Sequence, residues 1–492
     1  MSLAALPFVL AAFILLCTLN AAGYRYGAAD LAFYLPAVLI KIDPSLFPRD
    51  ASLIAAQGRL TMMDETVGTL ARVTGASVPS LFAVLYCVTL ALLAAGTWLI
   101  AVRMYQRRWT GIALLAALTL RHAIARSGTN TLEGYFHPRQ LAFALGALGI
   151  AALLRSRLVV AWVLVLAAGF LHPTTALWLA IWMAVACAVN DPRMRAPVAV
   201  AAGVAAIAGA WMLIAGPLAG RLGVMDREWL ATLASKDYLF PFDWPLYAWI
   251  INLSYIPIIV LVYRRRRAIG RLVPGETGLV AGCLSLLLLF AAALPLNAAR
   301  VAIAVQLQTP RVFWMLDFLA TVYAVWALAE GAAGSLRRAQ MTAAVIALAS
   351  VARGAYTKVV NFPDRAVAQI WMRDNDWGRV MAWARTTPTG SGWVADPLHA
   401  VKYGTSVRVA AERDVLVEAV KDAAVGMYAR EVAIRTRDRV AAVGDFDSMT
   451  PDRARSLASQ FGLDYLVTEQ ALDLPVAFAS GAVRVYRLRV DD

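Results

Sequence analysis

The sequence has few charged residues, cysteines and histidines. Only 16% of the 492 residues are charged, whereas about 25% is usual in soluble globular proteins, so a series of ordinary soluble domains is excluded. The four cysteines lie singly in apolar runs without metal-ligand spacing, which excludes a disulfide scaffold. The chain also lacks a Gly-rich phosphate loop and a nucleophile elbow, so it carries no motif of those enzyme classes.

What the chain has instead is apolar residues, which make up 60% of it. They form runs of roughly membrane length, which predicts an α-helical polytopic membrane protein with about eleven transmembrane helices, counts of ten to twelve remaining open. The first run could instead be a cleaved signal peptide, although it lacks a basic beginning. The runs are 2–22, 79–102, 109–124, 138–154, 158–171, 173–189, 197–217, 246–262, 277–295, 311–330 and 339–356.

The net charge of +14 is unevenly distributed. Residues 357–492 contain 18 basic and 18 acidic side chains, so the whole excess lies in residues 1–356, which argues against a nucleic-acid partner. Short basic links alternate there with longer links of mixed charge, and the positive-inside rule places the basic links in the cytoplasm. We therefore expect a cytoplasmic N-terminus and an extracytoplasmic segment 357–492. The basic links contain Arg103, Arg107, Arg108, Arg155, Arg157, Arg193, Arg195, Arg264 to Arg267, Arg271, Arg337 and Arg338.

The composition changes abruptly near residue 357, which predicts a transmembrane domain over 1–356 and a small α/β domain over 357–492. Helical patterns over 364–386, 416–442 and 450–461 alternate there with short strand-like runs at 393–395, 407–410, 465–467 and 483–490. Before it, residues 225–249 combine an amphipathic pattern with many aromatic residues, which predicts a helix lying on the membrane surface.

Ionisable residues near the ends of the apolar runs are candidates for function, because they are costly to bury in a membrane. Asp30 follows the first run among apolar and aromatic residues, so partial desolvation would raise its pKa toward values useful to a general base. It could equally cap a helix or pair with Arg25. Asp50, in Leu-Phe-Pro-Arg-Asp-Ala-Ser, is more typical of a helix N-cap.

Other candidates surround predicted helix starts. Pro138 suits a first helical turn, so Glu133, His137 and Arg139 would gather at a helix N-terminus, where an anion such as phosphate binds well. His172 stands before Pro173 in a similar position. Arg300 and Arg311 bracket the link 296–310 and could hold a phosphate or reach toward lipid headgroups.

Four segments of the chain carry a resemblance to known proteins. They are Asp30…Tyr34-Leu-Pro36, Leu46-Phe-Pro-Arg-Asp50, Glu133…Phe136-His-Pro-Arg139 with Leu171-His-Pro173, and Trp383-Ala-Arg-Thr-Thr-Pro388…Asp396-Pro397. They resemble a group of uncharacterised bacterial GT-C-like membrane proteins, and the chain as a whole resembles the GT-C superfamily of multi-span glycosyltransferases. That resemblance implies that Asp30 corresponds to the first-loop acid used as catalytic base. Many GT-C enzymes have two adjacent acids there, whereas this chain has Ala29-Asp30, so a divalent metal is possible but not indicated.

The expected function is transfer of a sugar from a polyprenyl-phosphate donor to a glycan, lipid or protein acceptor, at the outer face of the bacterial inner membrane. Asp30 would be catalytic, and Asp50, Glu133, His137, Arg139, His172, Arg300 and Arg311 would bind substrate, without a metal or other cofactor. Two alternatives remain open: a lipid or polysaccharide translocator, and a non-catalytic scaffold in envelope biogenesis. An enzyme would need Asp30 and the arginines to converge on one cavity.

Overall fold

The computed structural model describes residues 6–59, 61–331 and 334–489. It is mostly helical, with a small C-terminal sheet. The helices are α1 Leu6–Asn20, α2 Leu31–Ile42, α3 Ala51–Gly58, α4 Met63–Thr74, α5 Val78–Met104, α6 Arg108–Thr119, α7 Pro138–Leu153, α8 Leu158–Leu171, α9 Pro173–Asn190, α10 Arg195–Ile214, α11 Arg227–Leu233, α12 Leu246–Ala268, α13 Glu276–Ala298, α14 Ala302–Gln306, α15 Val312–Ala329, α16 Leu336–Tyr356, α17 Asp376–Ala384, α18 His399–Lys402, α19 Val407–Ala410, α20 Ala419–Gly426, α21 Arg430–Val443 and α22 Pro451–Phe461.

The strands are short. They are β1 Tyr24–Arg25, β2 Ala123–Ile124, β3 Thr129–Asn130, β4 Ala368–Gln369, β5 Gly392–Val394, β6 Asp414–Val415, β7 Tyr465–Thr468, β8 Val476–Ser480 and β9 Val483–Arg487.

A helix lies in each of the eleven apolar runs, although residues 2–5 of the first run lie outside the described residues. Within the described ranges, seven helices are long and apolar enough to cross a membrane. Others are shorter, such as α6 with 12 residues and α8 with 14. How many of the eleven runs cross a membrane stays a prediction. The seven helices, counted with the helical turns that adjoin them, are Val78–Met104, Pro173–Asn190, Pro192–Ile214, Leu246–Ala268, Glu276–Ala298, Ala302–Ala329 and Leu336–Asn361.

The chain folds as two compact units. The helical unit comprises Met1–Tyr24, Leu85–Met225 and Asp237–Ala368, and the sheet unit comprises Arg25–Val84, Asp226–Lys236 and Gln369–Asp492. The first long link and α11 therefore belong to the same unit as the C-terminal sheet. The division into a transmembrane domain over 1–356 and an extracytoplasmic α/β domain over 357–492 stays a prediction.

In the helical unit, close packing depends on small residues between helices. Gly278 and Gly282 of α13 face α9, where an added Cβ would come within 2.3 Å of the Ala186 carbonyl oxygen and 2.2 Å of the Trp182 carbonyl oxygen. Trp182 Nε1 donates a hydrogen bond to the Leu279 carbonyl at 2.8 Å in the same contact. Small residues of this kind allow apolar helices to approach closely.

In the sheet unit, β6, β5, β7, β9 and β8 lie side by side in that order, with β5 parallel to both β6 and β7 and with β9 antiparallel to β7 and β8. Successive residues of a strand face opposite sides. Accordingly, Trp393 packs in the core with α17 and α19, while Val394 packs in the core with α22. The α/β composition predicted for the C-terminal segment is thus observed.

Four local predictions differ from the structure, the first being the helix expected over 416–442, which is divided into α20 and α21. Residues 407–410, predicted as a strand, form α19, because the Ser406 hydroxyl accepts a hydrogen bond from the Val409 N–H at 3.2 Å and caps a helical turn. The helix expected over 364–386 begins only at Asp376, where Asn375 is the N-cap. The helix expected within 225–249 is the seven-residue α11, capped by Asp226.

Candidate functional site

The two units divide the predicted site residues between them. Asp30 and Asp50 belong to the sheet unit. The helical unit contains the others, Glu133, His137, Arg139, His172, Arg300 and Arg311. Each unit therefore presents its own candidate chemistry, an acid beside a cavity in the sheet unit and a cationic cluster at helix starts in the helical unit.

Asp30 stands immediately before α2 but does not cap it through its side chain. Its carboxylate instead accepts a hydrogen bond from Lys421 Nζ at 2.8 Å. Both side chains remain partly accessible, with 29% of Asp30 and 18% of Lys421 exposed. This pair is thus open to a ligand, which a fully enclosed ion pair would not be.

A cavity of about 230 Å³ lies beside this pair. Ala29 and Lys421 line it, together with Arg25 and small residues such as Gly404. Two cationic side chains on the wall of one cavity favour an anionic or strongly polar ligand. Asp30 follows Ala29 in the chain and bonds to Lys421, so a carboxylate and an ammonium group meet at the wall of this cavity.

Two further ionisable groups lie close to Lys421. Glu418 is 1% exposed, and neither of its carboxylate oxygens has a hydrogen-bond partner among the described residues. Burial raises the pKa of Glu418 to about 8, with a further rise from Asp422, while Arg408, Lys421 and Lys236 oppose it. Burial lowers the pKa of Lys236, and the positive charge of Lys421 lowers it further. The negative charges of Asp30 and Glu418 act in the opposite direction. Groups with shifted pKa values are typical of functional sites, and these two interact with Lys421.

Asp50 has a different environment. It is 1% exposed, and Arg408 Nε donates to its carboxylate at 2.6 Å, while Arg435 also contacts it. Arg408 in turn bonds Asp422 at 2.5 Å. Burial raises the pKa of Asp50, but the charges and hydrogen bonds of Arg408 and Arg435 outweigh burial and hold the pKa below its usual range. These contacts form a buried ion-pair network in which Asp50 is bonded to protein side chains.

In the helical unit, two histidines cap two helices in the same way. His137 Nδ1 accepts a hydrogen bond from the Arg139 backbone N–H at 3.0 Å at the start of α7, and His172 Nδ1 accepts one from Thr175 at 3.3 Å at the start of α9. The predicted helix starts at Pro138 and Pro173 are confirmed. The ring centroids lie 6.3 Å apart. An Nδ1 that accepts leaves the ring proton on Nε2.

Charged groups surround these two helix starts. Arg139 is 3% exposed, and its guanidinium reaches Glu133 at 3.3 Å, while its Nε has no hydrogen-bond partner among the described residues. Arg121 lies 3.7 Å from the other oxygen of Glu133. Partial burial and the positive charges of Arg311 and Arg139 lower the pKa of His172 well below its usual range. Five predicted residues, Glu133, His137, Arg139, His172 and Arg311, are therefore neighbours; we call them the arginine cluster.

Arg300 has other partners. Its guanidinium lies 3.4 Å from Asp243 and 4.2 Å from the centre of the Phe240 ring. No contact recorded for Arg300 joins it to the arginine cluster. Within the described part of the chain, no group of three or more His, Cys, Asp or Glu side chains is placed to hold a metal ion. The expectation of no metal nevertheless stays a prediction.

Sequence reasoning missed Lys421, Glu418 and Lys236. The segment 357–492 has no net charge, so its lysines and carboxylates resemble those of any solvated helix. One local signal was present, since Glu418 follows directly on the apolar triplet Val415-Leu-Val417. A carboxylate at the end of an apolar strand-like run is a candidate for burial.

The chain matches no protein-family model, and no curated protein matches it. The site must therefore be interpreted from its own geometry.

Proposed function

We propose that the protein is a membrane glycosyltransferase that moves a sugar from a polyprenyl-phosphate donor to a glycan, lipid or protein acceptor at the extracytoplasmic face of the bacterial inner membrane. The observation that carries this proposal is the arginine cluster in a unit of apolar helices. It combines two helix N-termini with cationic side chains, which is the arrangement that an anionic headgroup requires.

Arg139 is the central residue of this argument. A guanidinium that is 3% exposed needs an anion close by. Among the described residues its ionic partner is Glu133, at 3.3 Å, and Arg121 lies near the same carboxylate. A phosphate diester or monoester would supply oxygens for the Nε of Arg139. The proposed ligand of the arginine cluster is thus the phosphate of the donor lipid, and the leaving phosphate would be stabilised there.

Asp30 is the proposed general base. Glycosyl transfer to a hydroxyl requires a group that accepts the hydroxyl proton, and a partly exposed carboxylate beside a cavity suits that task. Lys421 Nζ, at 2.8 Å, holds the carboxylate in position. The proposal requires Asp30 and the arginine cluster to serve one reaction.

The membrane setting is supported by the surface of α10. All 20 of its residues are partly or fully exposed, although the helix is almost entirely apolar. A continuous apolar helix surface of this length is costly in water and stable in lipid. About eleven spans, a cytoplasmic N-terminus and an extracytoplasmic sheet unit complete the proposed topology, which rests on the distribution of arginine between the links.

The test is to purify the protein and identify lipids that remain bound, by mass spectrometry. We expect a polyprenyl phosphate in the wild type and its loss in Arg139→Gln. Arg126→Gln is the matched control, because Arg126 is an arginine of the same unit that already contacts Asp237 and Tyr247. Bulk phospholipid alone in the wild type, or equal retention by Arg139→Gln, would contradict the proposal.

A translocator is the second candidate, and one observation favours it. Asp317, in the apolar helix α15, is 6% exposed, and its carboxylate lies 2.9 Å from His122 Nδ1. A buried acid beside a half-buried histidine could relay protons. Lipid movement across vesicles that depends on a proton gradient and is lost in Asp317→Asn, without any sugar transfer, would favour the translocator. A folded protein that shows neither lipid movement nor sugar transfer would favour a scaffold.

A further inference from the structure

The sheet unit contains a second cavity, at the carboxyl ends of its parallel strands. From β5 the chain passes through α18 and α19 to β6 on one side, and from β6 it returns through α20, α21 and α22 to β7 on the other side of β5. The strand order therefore reverses between β5 and β7. In open α/β sheets, ligands bind outside the carboxyl ends of the strands at such a reversal.

The cavity lies at that position. It has a volume of about 180 Å³ and is lined by Asp396, just after β5, and by Glu469 and Gln470, just after β7. Lys402 and Asp447 also line it. Its volume equals that of about six water molecules, which suits one sugar ring and is too small for an oligosaccharide.

Part of the cavity wall is already fixed by hydrogen bonds. Glu469 accepts hydrogen bonds from Lys402 Nζ and from the Tyr403 hydroxyl, both at 2.9 Å. The Tyr403 ring stacks on Trp377 with centroids 4.1 Å apart, which holds the hydroxyl in place. A wall whose polar groups are held by their neighbours loses little entropy when a ligand binds.

The remaining polar groups of the wall are hydrogen-bond acceptors. One oxygen of Asp396 accepts from the Leu398 N–H at 2.8 Å, and the amide nitrogen of Gln470 donates to the Phe446 carbonyl at 2.7 Å. The other Asp396 oxygen, the Asp447 carboxylate and the Gln470 amide oxygen have no recorded partner among the described residues. A ligand that donates hydrogen bonds would match these acceptors.

The charge of the wall further limits the class of ligand that the cavity can bind. Three carboxylates, Asp396, Asp447 and Glu469, face one ammonium group, that of Lys402. An excess of negative charge repels phosphates, nucleotides and sugar acids.

We infer that this cavity is a binding site for a single neutral sugar residue, either free or at the end of a glycan. The site lies entirely within the sheet unit and needs no transfer reaction, so this inference goes beyond the proposed function. It can be tested independently of that function. Sugar hydroxyls would donate to Asp396, Asp447 and Gln470, while Lys402 would donate to a ring or hydroxyl oxygen.

The test uses the full-length protein in a detergent without a sugar headgroup, because alkyl glycosides would compete. Neutral hexoses are titrated and followed by saturation-transfer NMR, with a hexuronic acid as the anionic probe. We expect saturable binding of at least one neutral hexose, no binding of the hexuronic acid, and at least tenfold weaker binding to Asp396→Asn and to Asp447→Asn. Asp447 is exposed, so its variant should fold even where Asp396→Asn does not.

Asp452→Asn is the matched control, since Asp452 is 96% exposed and pairs with Arg455 away from the cavity lining. It should bind the hexose as the wild type does. No saturable binding of any neutral hexose would overturn the inference. Unchanged binding by folded Asp447→Asn, or equal affinity for the hexuronic acid, would overturn it as well.

Discussion

Lys421 donates a 2.8 Å hydrogen bond to the carboxylate of Asp30, although 391 positions separate the two residues in the chain. The contact joins the link that follows the first apolar helix to the C-terminal segment, within one compact unit. Asp30 is therefore held by a residue from the other end of the protein, and the proposed base is positioned by the fold rather than by its own helix.

The first prediction concerns Asp30. Asp30→Asn keeps the size of the side chain but removes the proton acceptor, so turnover should fall about 10²–10⁴-fold with little change in binding. Turnover per folded molecule is measured with a polyprenyl-phosphate sugar donor. Asp43→Asn is the matched control, because Asp43 lies at the other end of α2 and its carboxylate accepts hydrogen bonds from the backbone and hydroxyl of nearby Ser45. Wild-type turnover in folded Asp30→Asn would exclude the proposed base.

The second prediction concerns Asp50, which we expect to support folding rather than turnover. Asp50→Asn leaves Arg408, 1% exposed, without one of its two carboxylate partners. Breaking a buried pair in this way typically costs about 3–5 kcal/mol. The thermal unfolding midpoint in detergent should therefore fall clearly, whereas Asp452→Asn, in an exposed pair, should change it little. A stable Asp50→Asn protein with lost turnover would instead place Asp50 at the substrate.

The helices could be predicted where the signal is local. Pro138 and Pro173 each begin a helix after a histidine, because proline suits a first helical turn and the residue before it can cap. The gathering of Arg139 and Glu133 followed from the same short segment. These features depend on a few adjacent residues, so the sequence contains them.

The features that the sequence did not predict depend on contacts between residues far apart in the chain. The pair Asp30–Lys421 and the burial of Glu418 arise from packing, which no local pattern in the segment 357–492 indicates. The wrong strand at 407–410 has the same origin: its apolar residues are buried, as a strand's would be, but Ser406 directs them into a helical turn. Short apolar runs do not distinguish the two structures.

The third prediction concerns the pH dependence of stability. Glu418 keeps its proton up to about pH 8 in the folded protein, whereas an unfolded chain releases it near 4.5. The folded state thus holds one more proton between these values, so this contribution to stability is complete below pH 4.5 and is lost as the pH rises to 8. Glu418→Gln cannot release a proton and should lose less stability than the wild type between pH 5 and pH 8.

Thermal unfolding in detergent at several pH values measures this difference. Glu431→Gln, an exposed glutamate of α21, should follow the wild-type curve. If the Glu418→Gln and wild-type midpoints change in parallel with pH, Glu418 does not titrate as described.

The last prediction tests the proposed topology with cysteines placed at two exposed positions. Position 452 lies in the sheet unit, position 268 is the last residue of α12 directly after Arg264 to Arg267, and both residues are exposed. The background is Cys87→Ser, because Cys87 is the exposed one of the four native cysteines. In intact spheroplasts, a membrane-impermeant thiol reagent should label Asp452→Cys and leave Ala268→Cys unlabelled until the membrane is opened. Labelling of Ala268→Cys alone would reverse the orientation, and Asp30 would then face the cytoplasm, where a donor on the outer surface could not reach it.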